Sequence, residues 1–293
     1  MSLLTEIILV AIAVSLSCSV LGVFLVLRGS TMVSDAISHT VLLGIVVSFF
    51  IVQDLRSPWL MIGAALVGVF TVWAIEALKN TGLVDQDASI GIVFPFLFSI
   101  AIILLTRYAG DVHLDIDAVF MGQLGFTIFD RITVGGVDIG PAAFWSALVI
   151  FLINSGFIAF FYKELKVSTF DPNYAKSIGI STTVIYYALM TLVSLTSVGA
   201  FEAAGSILVV GFMVGPALTA YLLTDRLSHM IGLTLLVSIF NAVVGVVLAY
   251  SLNLSYAGVI AFVTGVVAVL AFILSPKKGA LRGWVNRRRH QKN

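Results

Sequence analysis

Charged residues are scarce in this sequence of 293 amino acids. Asp, Glu, Lys and Arg together make up 11% of the chain and hydrophobic residues 60%, whereas a soluble domain carries about 25% charged residues. A soluble globular protein is therefore excluded. The hydrophobic residues form runs of about 20, which is the length that a helix needs to cross a bilayer. We expect an all-α polytopic membrane protein.

Cysteine is nearly absent as well, and so are the signatures of several enzyme classes. The single Cys18 excludes a disulfide within the chain. The sequence contains no His-Glu-x-x-His, no Gly-x-Ser-x-Gly and no P-loop. We therefore predict that this chain is not an enzyme and does not bind ATP through a P-loop. If ATP drives its function, hydrolysis takes place in a separate partner subunit.

Nine segments are candidates for membrane spans. The first lacks the basic region and the small-residue cleavage site of a signal peptide, so we expect it to be retained. The break at Gly199–Glu202 is short, and if it is only a kink in one long helix the chain has eight spans. The nine segments are residues 4–27, 33–52, 58–78, 88–108, 141–162, 183–199, 204–223, 229–250 and 255–275.

The positions of Lys and Arg predict the orientation of the spans. Residues 1–276 would form the transmembrane domain and residues 277–293 a basic cytoplasmic tail that contacts lipid rather than nucleic acid. With nine spans, the N-terminus then faces outside, and only Arg56, Arg107 and Arg131 lie on the outer side, as the positive-inside rule requires. The basic residues in inner loops are Arg28, Lys79, Lys163, Lys166, Lys176 and Arg226.

An acidic residue and a histidine interrupt the second span. Asp35 and His39 are four residues apart and therefore share one helix face. If the span starts near Met32, both lie about 5–12 Å into it, where an ionisable side chain is costly and suggests a function. Carboxylate oxygen and imidazole nitrogen suit Mn²⁺, Fe²⁺ or Zn²⁺. The alternative is that Ser34 and Asp35 cap the helix while His39 bonds a neighbouring carbonyl group.

The connection at residues 109–140 is long and acidic. It lies outside on the nine-span topology and contains five Asp residues and one Arg. This negative charge would attract cations, although an ordinary solvated loop is equally compatible with it. Residues 114–122 have the pattern of a short helix on the outer surface, which would act as a lid or a docking element.

Residues 163–182 form a second long connection, on the inner side. Asp171 followed by Pro172 is a helix-start signal, and Gly179 is a stop signal. We therefore predict a helix of two turns on the cytoplasmic surface. A short capped helix held between two spans suits the docking of a soluble partner, and it also suits a plain connector.

Glu202 stands in the predicted break between the sixth and seventh spans. It is either an outer-surface residue or a carboxylate of a transport pathway. Gly211 and Gly215 follow it with the spacing that predicts close packing against another helix.

Four motifs in combination resemble the permease subunits of the bacterial ABC importers for manganese, zinc and iron, the metal-ion ABC-3 type permeases. The resemblance covers about residues 5–275. The motifs are Leu27-Arg28-Gly29 with Asp35-Ala36-Ile37-Ser38-His39, Ala88-Ser89-Ile90-Gly91-Ile92-Val93-Phe94, Glu164-Leu165-Lys166 with Phe170-Asp171-Pro172, and Gly205-Ser206-Ile207-Leu208-Val209 with Gly215-Pro216-Ala217.

This resemblance implies a type II importer fold in the bacterial plasma membrane. Two permease subunits, two copies or this chain with a related one, would enclose a pathway lined by Asp35 and His39. Each would rest on an ATP-binding cassette subunit, and an extracytoplasmic metal-binding protein would deliver the ion. Mn²⁺, Zn²⁺ or Fe²⁺ would be cargo, with no permanently bound cofactor. The residues implied in coupling to the ATPase are Phe170, Asp171, Pro172, Ala175 and Gly179.

The sequence leaves two other functions to be weighed. An ATP-independent secondary metal-ion transporter would need proton- or ion-coupling groups near the middle of the membrane, and apart from Asp35 and His39 the spans contain almost none. An intramembrane metalloenzyme would need a third ligand and a general base near His39, which the sequence does not reveal. The importer permease, working by alternating access, is therefore our prediction.

Overall fold

Long helices dominate the computed structural model, which describes residues 3–54, 57–108, 122, 124–134 and 137–275. The helices are α1 (Leu3–Leu27), α2 (Thr31–Val52), α3 (Pro58–Lys79), α4 (Gln86–Tyr108), α5 (Ala142–Phe160), α6 (Tyr162–Phe170), α7 (Pro172–Ser177), α8 (Thr182–Leu223), α9 (Leu227–Leu252) and α10 (Tyr256–Leu274). Between α4 and α5 lie two antiparallel strands, β1 (Arg131–Val134) and β2 (Val137–Pro141). The predicted fold class is confirmed, with one small hairpin added.

Capping residues set the ends of several spans. The side chains of Ser57, Ser181 and Ser255 accept hydrogen bonds from backbone N–H groups in the first turns of α3, α8 and α10. At the ends of α2 and α9, Gln53 and Asn253 take left-handed backbone conformations that stop the helix. Short connections follow, and consecutive spans therefore run in opposite directions.

Helix α1 lies at the centre of the molecule, packed against α5, α8 and α9. Small residues allow this. A methyl group at Gly22 would overlap the carbonyl oxygen of Met213 in α8, and the hydroxyl groups of Ser15 and Ser238 are hydrogen-bonded between α1 and α9. The packing of α1 thus combines close backbone approach with fully buried apolar side chains such as Leu21 and Phe24.

Contacts between distant segments identify two sides of the bundle, which we name outer and inner as the positions of Lys and Arg predict. On the outer side, Arg131 after α4 donates to Glu6 at the start of α1, 2.9 Å apart, and Gly125 lies beside Tyr256 at the start of α10. On the inner side, Arg28 after α1 donates to Ser168 near the end of α6. The predicted orientation of these segments relative to one another agrees with these contacts.

Helix α8 crosses the membrane twice. Its 42 residues would span about 63 Å as a straight helix, about twice the hydrocarbon core. Tyr186 near its start lines an inner cavity with Leu27, and Leu222 near its end accepts a hydrogen bond of 2.6 Å from Ser275 on the same side. Nine candidate spans result in the described residues, which favours nine over eight.

The chain reverses within α8 at Gly205, where φ is 72° and ψ is 163°. The predicted break at Gly199–Glu202 is confirmed as the boundary between two candidate spans, which meet at residue 202, but the residue with non-helical backbone angles lies slightly later, at Gly205. Only glycine adopts the backbone conformation of residue 205 readily, whereas Gly199 stays helical and faces Ile150.

Two predicted features lie outside the described residues. They are the outer helix, of which only Gly122 is described, and the basic tail at 277–293.

Candidate metal-ion pathway

The turn between α1 and α2 places Asp35 at the inner end of the bundle. Gly29 has a φ of 66°, and the N–H of Ser30 donates to the carbonyl of Leu25, 2.9 Å apart, which closes α1 in the manner of a Schellman motif. Helix α2 begins at Thr31 directly after it. Asp35 is therefore the fifth residue of α2, about 6 Å from its start.

The capping alternative for Ser34 and Asp35 does not hold. The residue that precedes α2 is Ser30, and Ser34 lies inside the helix, where its hydroxyl donates to the carbonyl of Thr31 at 2.6 Å. Both Ser34 and Asp35 are thus interior helix residues, and another reason is needed for an acid at this depth.

Asp35 and His39 lie side by side on α2. His39 Nε2 is 3.5 Å from Asp35 Oδ1, and the side chains are 22% and 45% exposed, respectively. Two atoms that each bind one ion at about 2.1 Å lie about 3.4 Å apart at the tetrahedral angle. The pair therefore has the spacing to hold one divalent ion between an oxygen and a nitrogen.

Aromatic side chains of α4 hold the imidazole ring. The ring of His39 lies 5.1 Å from that of Phe94 and 6.0 Å from that of Phe98, measured between centroids. Phe94 and Phe98 are one turn apart on α4 and approach the ring from the same helix. This packing restricts the imidazole on one side and leaves the carboxylate more exposed.

Asp35 opens onto a groove of about 500 Å³ between α2, the second half of α8 and α10. The other lining residues are small or apolar, so Asp35 is the one charged side chain among them. The groove is lined by Thr31, Met32, Asp35, Val210, Gly211, Val214, Gly215, Ala261, Thr264, Gly265 and Ala268.

The two glycines of this groove have different surroundings. A methyl group at Gly215 would overlap the side chain of Thr264 in α10, whereas a methyl group at Gly211 would meet no atom within 4 Å. Close packing within this chain is thus confirmed for Gly215 and wrong for Gly211, because Gly211 faces the open space of the groove.

One chain supplies only two ligands at this place. Within the part of the chain that the structure describes, no group of three or more His, Cys, Asp or Glu side chains comes together. A closed metal site usually has four protein ligands, so Asp35 and His39 form an open, incomplete site.

A helical hairpin of α6 and α7 occupies the inner connection. Asp171 caps α7, its carboxylate accepting from the N–H of Tyr174 at 2.9 Å, Pro172 takes the first helical position, and Gly179 has a φ of 84°. The predicted capped helix is confirmed, although at six residues it is shorter than two turns. Helix α6 was not predicted from the sequence, and it extends the fifth span almost without interruption.

The hairpin has a buried side and an exposed side. Leu165 and Ala175 are fully buried against the spans, whereas Phe170 and Tyr174 are 59% and 55% exposed. Exposed aromatic residues on a capped surface helix suit contact with another protein. Ala175 instead anchors the helix.

Arg28 attaches the end of α6 to the α1–α2 turn. Its guanidinium group donates to the hydroxyls of Ser168 and Thr169, at 2.8 and 3.1 Å, and lines an inner cavity of about 460 Å³ together with Glu76 and Lys79. Burial lowers the pKa of Arg28, although an arginine remains charged at neutral pH.

At the outer side, ion pairs fix the β-hairpin. Arg131 contacts Glu6 of α1 at 2.9 Å and Asp138 of β2 at 2.6 Å. The hydrogen bond to Glu6 raises the pKa of Arg131, and the N–H of Gly140 lowers the pKa of Asp138. This hairpin was not predicted, although apolar and polar residues that alternate around Gly135-Gly136 are a hairpin signal in the sequence.

The structure does not bring every predicted site residue together. The backbone of Glu202 lies in the middle of α8, three residues before the reversal at Gly205, while Asp35 and His39 lie near the inner end of α2. No role was predicted for Phe98, and Arg28 and Phe94 were named only as members of sequence motifs. The four-residue spacing of Phe94 and Phe98 places both rings on one face of α4, and this could have indicated an aromatic surface facing another helix.

Nine candidate spans in the described part of the chain, an Asp35–His39 pair whose carboxylate opens onto a groove between helices, and a helical hairpin on the inner surface together are typical of a membrane transport permease. The sequence model of the ABC 3 transport family, ABC-3, matches residues 1–275. The chain belongs to this family and is thus a permease of the bacterial plasma membrane rather than an enzyme.

Named relatives are similar over nearly the whole chain. The manganese transport system membrane protein MntD of Bacillus subtilis is 43% identical over 281 residues, which is 96% of this chain and 95% of MntD. The zinc transport system membrane protein TroD of Treponema pallidum is 42% identical over 94% of this chain and 75% of TroD. The solved structure of PsaBC from Streptococcus pneumoniae in complex with Fab superposes with a TM-score of 0.77 at 27% identity, covering 96% of this chain and 95% of the other.

Proposed function

We propose that this chain is the membrane-spanning subunit of an ATP-driven importer of divalent transition-metal ions. The observation that carries the proposal is the pair of Asp35 and His39, whose ligand atoms lie 3.5 Å apart beside an intramembrane groove. An ionisable side chain within a membrane span is costly, and cation coordination gives it a role. Because the pair is incomplete, it would hold an ion loosely enough to release it.

The cargo is manganese, zinc or iron. Oxygen and imidazole ligands serve all three ions, and relatives are named for manganese transport, zinc transport and, in Haemophilus influenzae, iron transport. The ion is substrate, and the chain keeps no cofactor. Selectivity among the three then depends on more than Asp35 and His39.

A second permease subunit completes the site. If two permease subunits face each other across the pathway, each contributes an acid and a histidine, and four ligands surround the ion. The second subunit is a copy of this chain or a related one. An extracytoplasmic metal-binding protein delivers the ion, and membrane lipid surrounds the assembly.

An ATP-binding cassette subunit docks on the α6–α7 hairpin. Phe170 and Tyr174 offer exposed aromatic surface, and Asp171, Pro172 and Gly179 fix the shape of α7. Closure of the ATPase pair moves the hairpins, and the pathway changes the side to which it opens. Membership in an ABC transport family disfavours the ATP-independent alternative.

Metal accumulation in a starved bacterial host tests the proposal. The host lacks its own manganese, zinc and iron importers and carries this chain with its partner subunits. Asp35→Ala and His39→Ala should abolish uptake of one ion at unchanged membrane levels, because each removes half of the ligands that the chain supplies. Asp87→Ala and His229→Ala, at exposed residues outside the groove, serve as matched controls. Undiminished uptake in both site variants would overturn the proposal.

A further inference from the structure

Arg28 joins two parts of the molecule that lie far apart in sequence. Its Nε donates to Thr169 Oγ1 at 3.1 Å, and its Nη2 donates to Ser168 Oγ at 2.8 Å. Because the guanidinium group is planar and rigid, two bonds along one edge fix both distance and angle. Asp171, the cap of α7, follows two residues after Thr169.

The turn on the other side of this contact is stiff. The N–H of Arg28 donates to Phe24 at 3.0 Å and the N–H of Ser30 donates to Leu25 at 2.9 Å. Helix α2 starts at the next residue, so no flexible segment separates Arg28 from Asp35. Only Gly29 and Ser30 separate Arg28 from the start of α2.

Ion pairing does not account for Arg28. Among the described residues, no carboxylate lies within 4.0 Å of its guanidinium group. Glu76, which lines the same cavity, pairs instead with Lys79 at 3.5 Å. A half-buried charge that contacts only neutral hydroxyls costs desolvation energy without a compensating ion pair. The two-point contact of Arg28 is therefore better explained by the position that it fixes than by a gain in the stability of the fold.

We propose that Arg28 is a positioning residue that transmits movement of the α6–α7 hairpin to α2 and so to the metal pair. The proposal rests on the proposed function, because it takes the hairpin as the ATPase contact and Asp35 with His39 as the ion site. In this role Arg28 need not contact the ion or the ATPase itself. It acts through Ser168 and Thr169, whose hydroxyls pull the α1–α2 turn when the hairpin moves.

The complete transporter in lipid vesicles, with its ATPase, second permease subunit and binding protein, tests this role. Metal uptake and ATP hydrolysis are measured on the same vesicles. Ser168→Ala combined with Thr169→Val removes both acceptors and leaves Arg28 in place. Loss of these bonds should lower the number of ions taken up per ATP by about tenfold, while ATP hydrolysis without metal persists. Thr169→Ser keeps its hydroxyl and should keep the wild-type ratio.

Variants of Arg28 test the same contact from its other end. Arg28→Lys keeps the charge but loses the two-point geometry, so it should also lower uptake per ATP. Arg28→Gln added to the Ser168→Ala, Thr169→Val variant should lower it no further, since the contact is already gone.

The outcomes separate this inference from the function on which it rests. An unchanged ratio in the hydroxyl variants, or a parallel loss of uptake and ATP hydrolysis, would show that Arg28 only stabilises the fold and would overturn the inference alone. A wild-type complex that takes up no metal with ATP would overturn the proposed function and the inference with it.

Discussion

Polar residues on α2 divide by helix face. Ser34 and Ser38 are fully buried, and each hydroxyl donates to a carbonyl three or four residues earlier, which satisfies it within the helix. Asp35 and His39 are the next residues along the chain in each case and are partly exposed. One face of α2 therefore packs and the adjacent face presents ligands, a division that follows from helical periodicity.

At the outer surface, single residues make the β-hairpin sensitive to acid. The N–H of Gly140 and the guanidinium group of Arg131 hold the pKa of Asp138 below its usual 3.8. The folded hairpin thus favours the ionised carboxylate, and this stabilisation is fully present above about pH 4 and lost as the pH falls through the lowered pKa. We expect an intact hairpin from pH 7 to about pH 5 and a looser one below about pH 4.

Trp145 fluorescence measures this acid transition. Its Nε1 donates to the carbonyl of Ile139 in β2 at 3.3 Å, so the indole reports on the hairpin in a variant that keeps no other tryptophan. Asp138→Asn removes the titrating group and should remove the transition. A transition of the same size in that variant would assign the acid response to another group.

Among the elements, the α6–α7 hairpin shows what capping contributes. The carboxylate of Asp171 satisfies a backbone N–H that the first turn of α7 would otherwise leave unpaired. A helix of six residues has little stability of its own, so its shape depends on this cap, on Pro172 and on the buried Ala175.

Asp171→Ala should therefore loosen α7 without unfolding the spans. Loss of an N-cap costs about 0.5–2 kcal/mol, which corresponds to about a 2- to 30-fold faster hydrogen exchange at the amide of Tyr174. Asp171→Asn keeps an oxygen acceptor and serves as the control. Equal exchange at Tyr174 in all three proteins would mean that the cap does not hold α7.

For the whole molecule, the membrane spans and their approximate bounds could be predicted from the sequence, because the length of an apolar run reflects the thickness of the bilayer itself. The side-by-side placement of Asp35 and His39 could also be predicted, because residues four apart share a helix face. Other features depend on contacts between distant residues. Arg28 and Ser168 are 140 positions apart, and no local sequence pattern predicts their contact. The groove beside Gly211 likewise arises only when α8 and α10 pack.

The reversal at Gly205 is the feature on which the nine-span architecture depends most. The sequence offers three glycines near this point, at 199, 205 and 211, and local composition does not distinguish them. The structure does, because only Gly205 combines a φ of 72° with an extended ψ of 163°. Any side chain in this conformation is strained by about 1–3 kcal/mol.

Gly205→Ala should therefore lower the thermal stability of the purified protein, whereas Gly156→Ala should not. Gly156 lies inside α5, where an added methyl group meets no atom within 4 Å and alanine favours the helix. Thermal unfolding of the two variants in one lipid environment makes the comparison, because both introduce the same methyl group. If Gly205→Ala unfolds at the wild-type temperature, residue 205 does not need its left-handed conformation, and the two halves of α8 must be held in their reversed arrangement by packing against α1 and α10 instead.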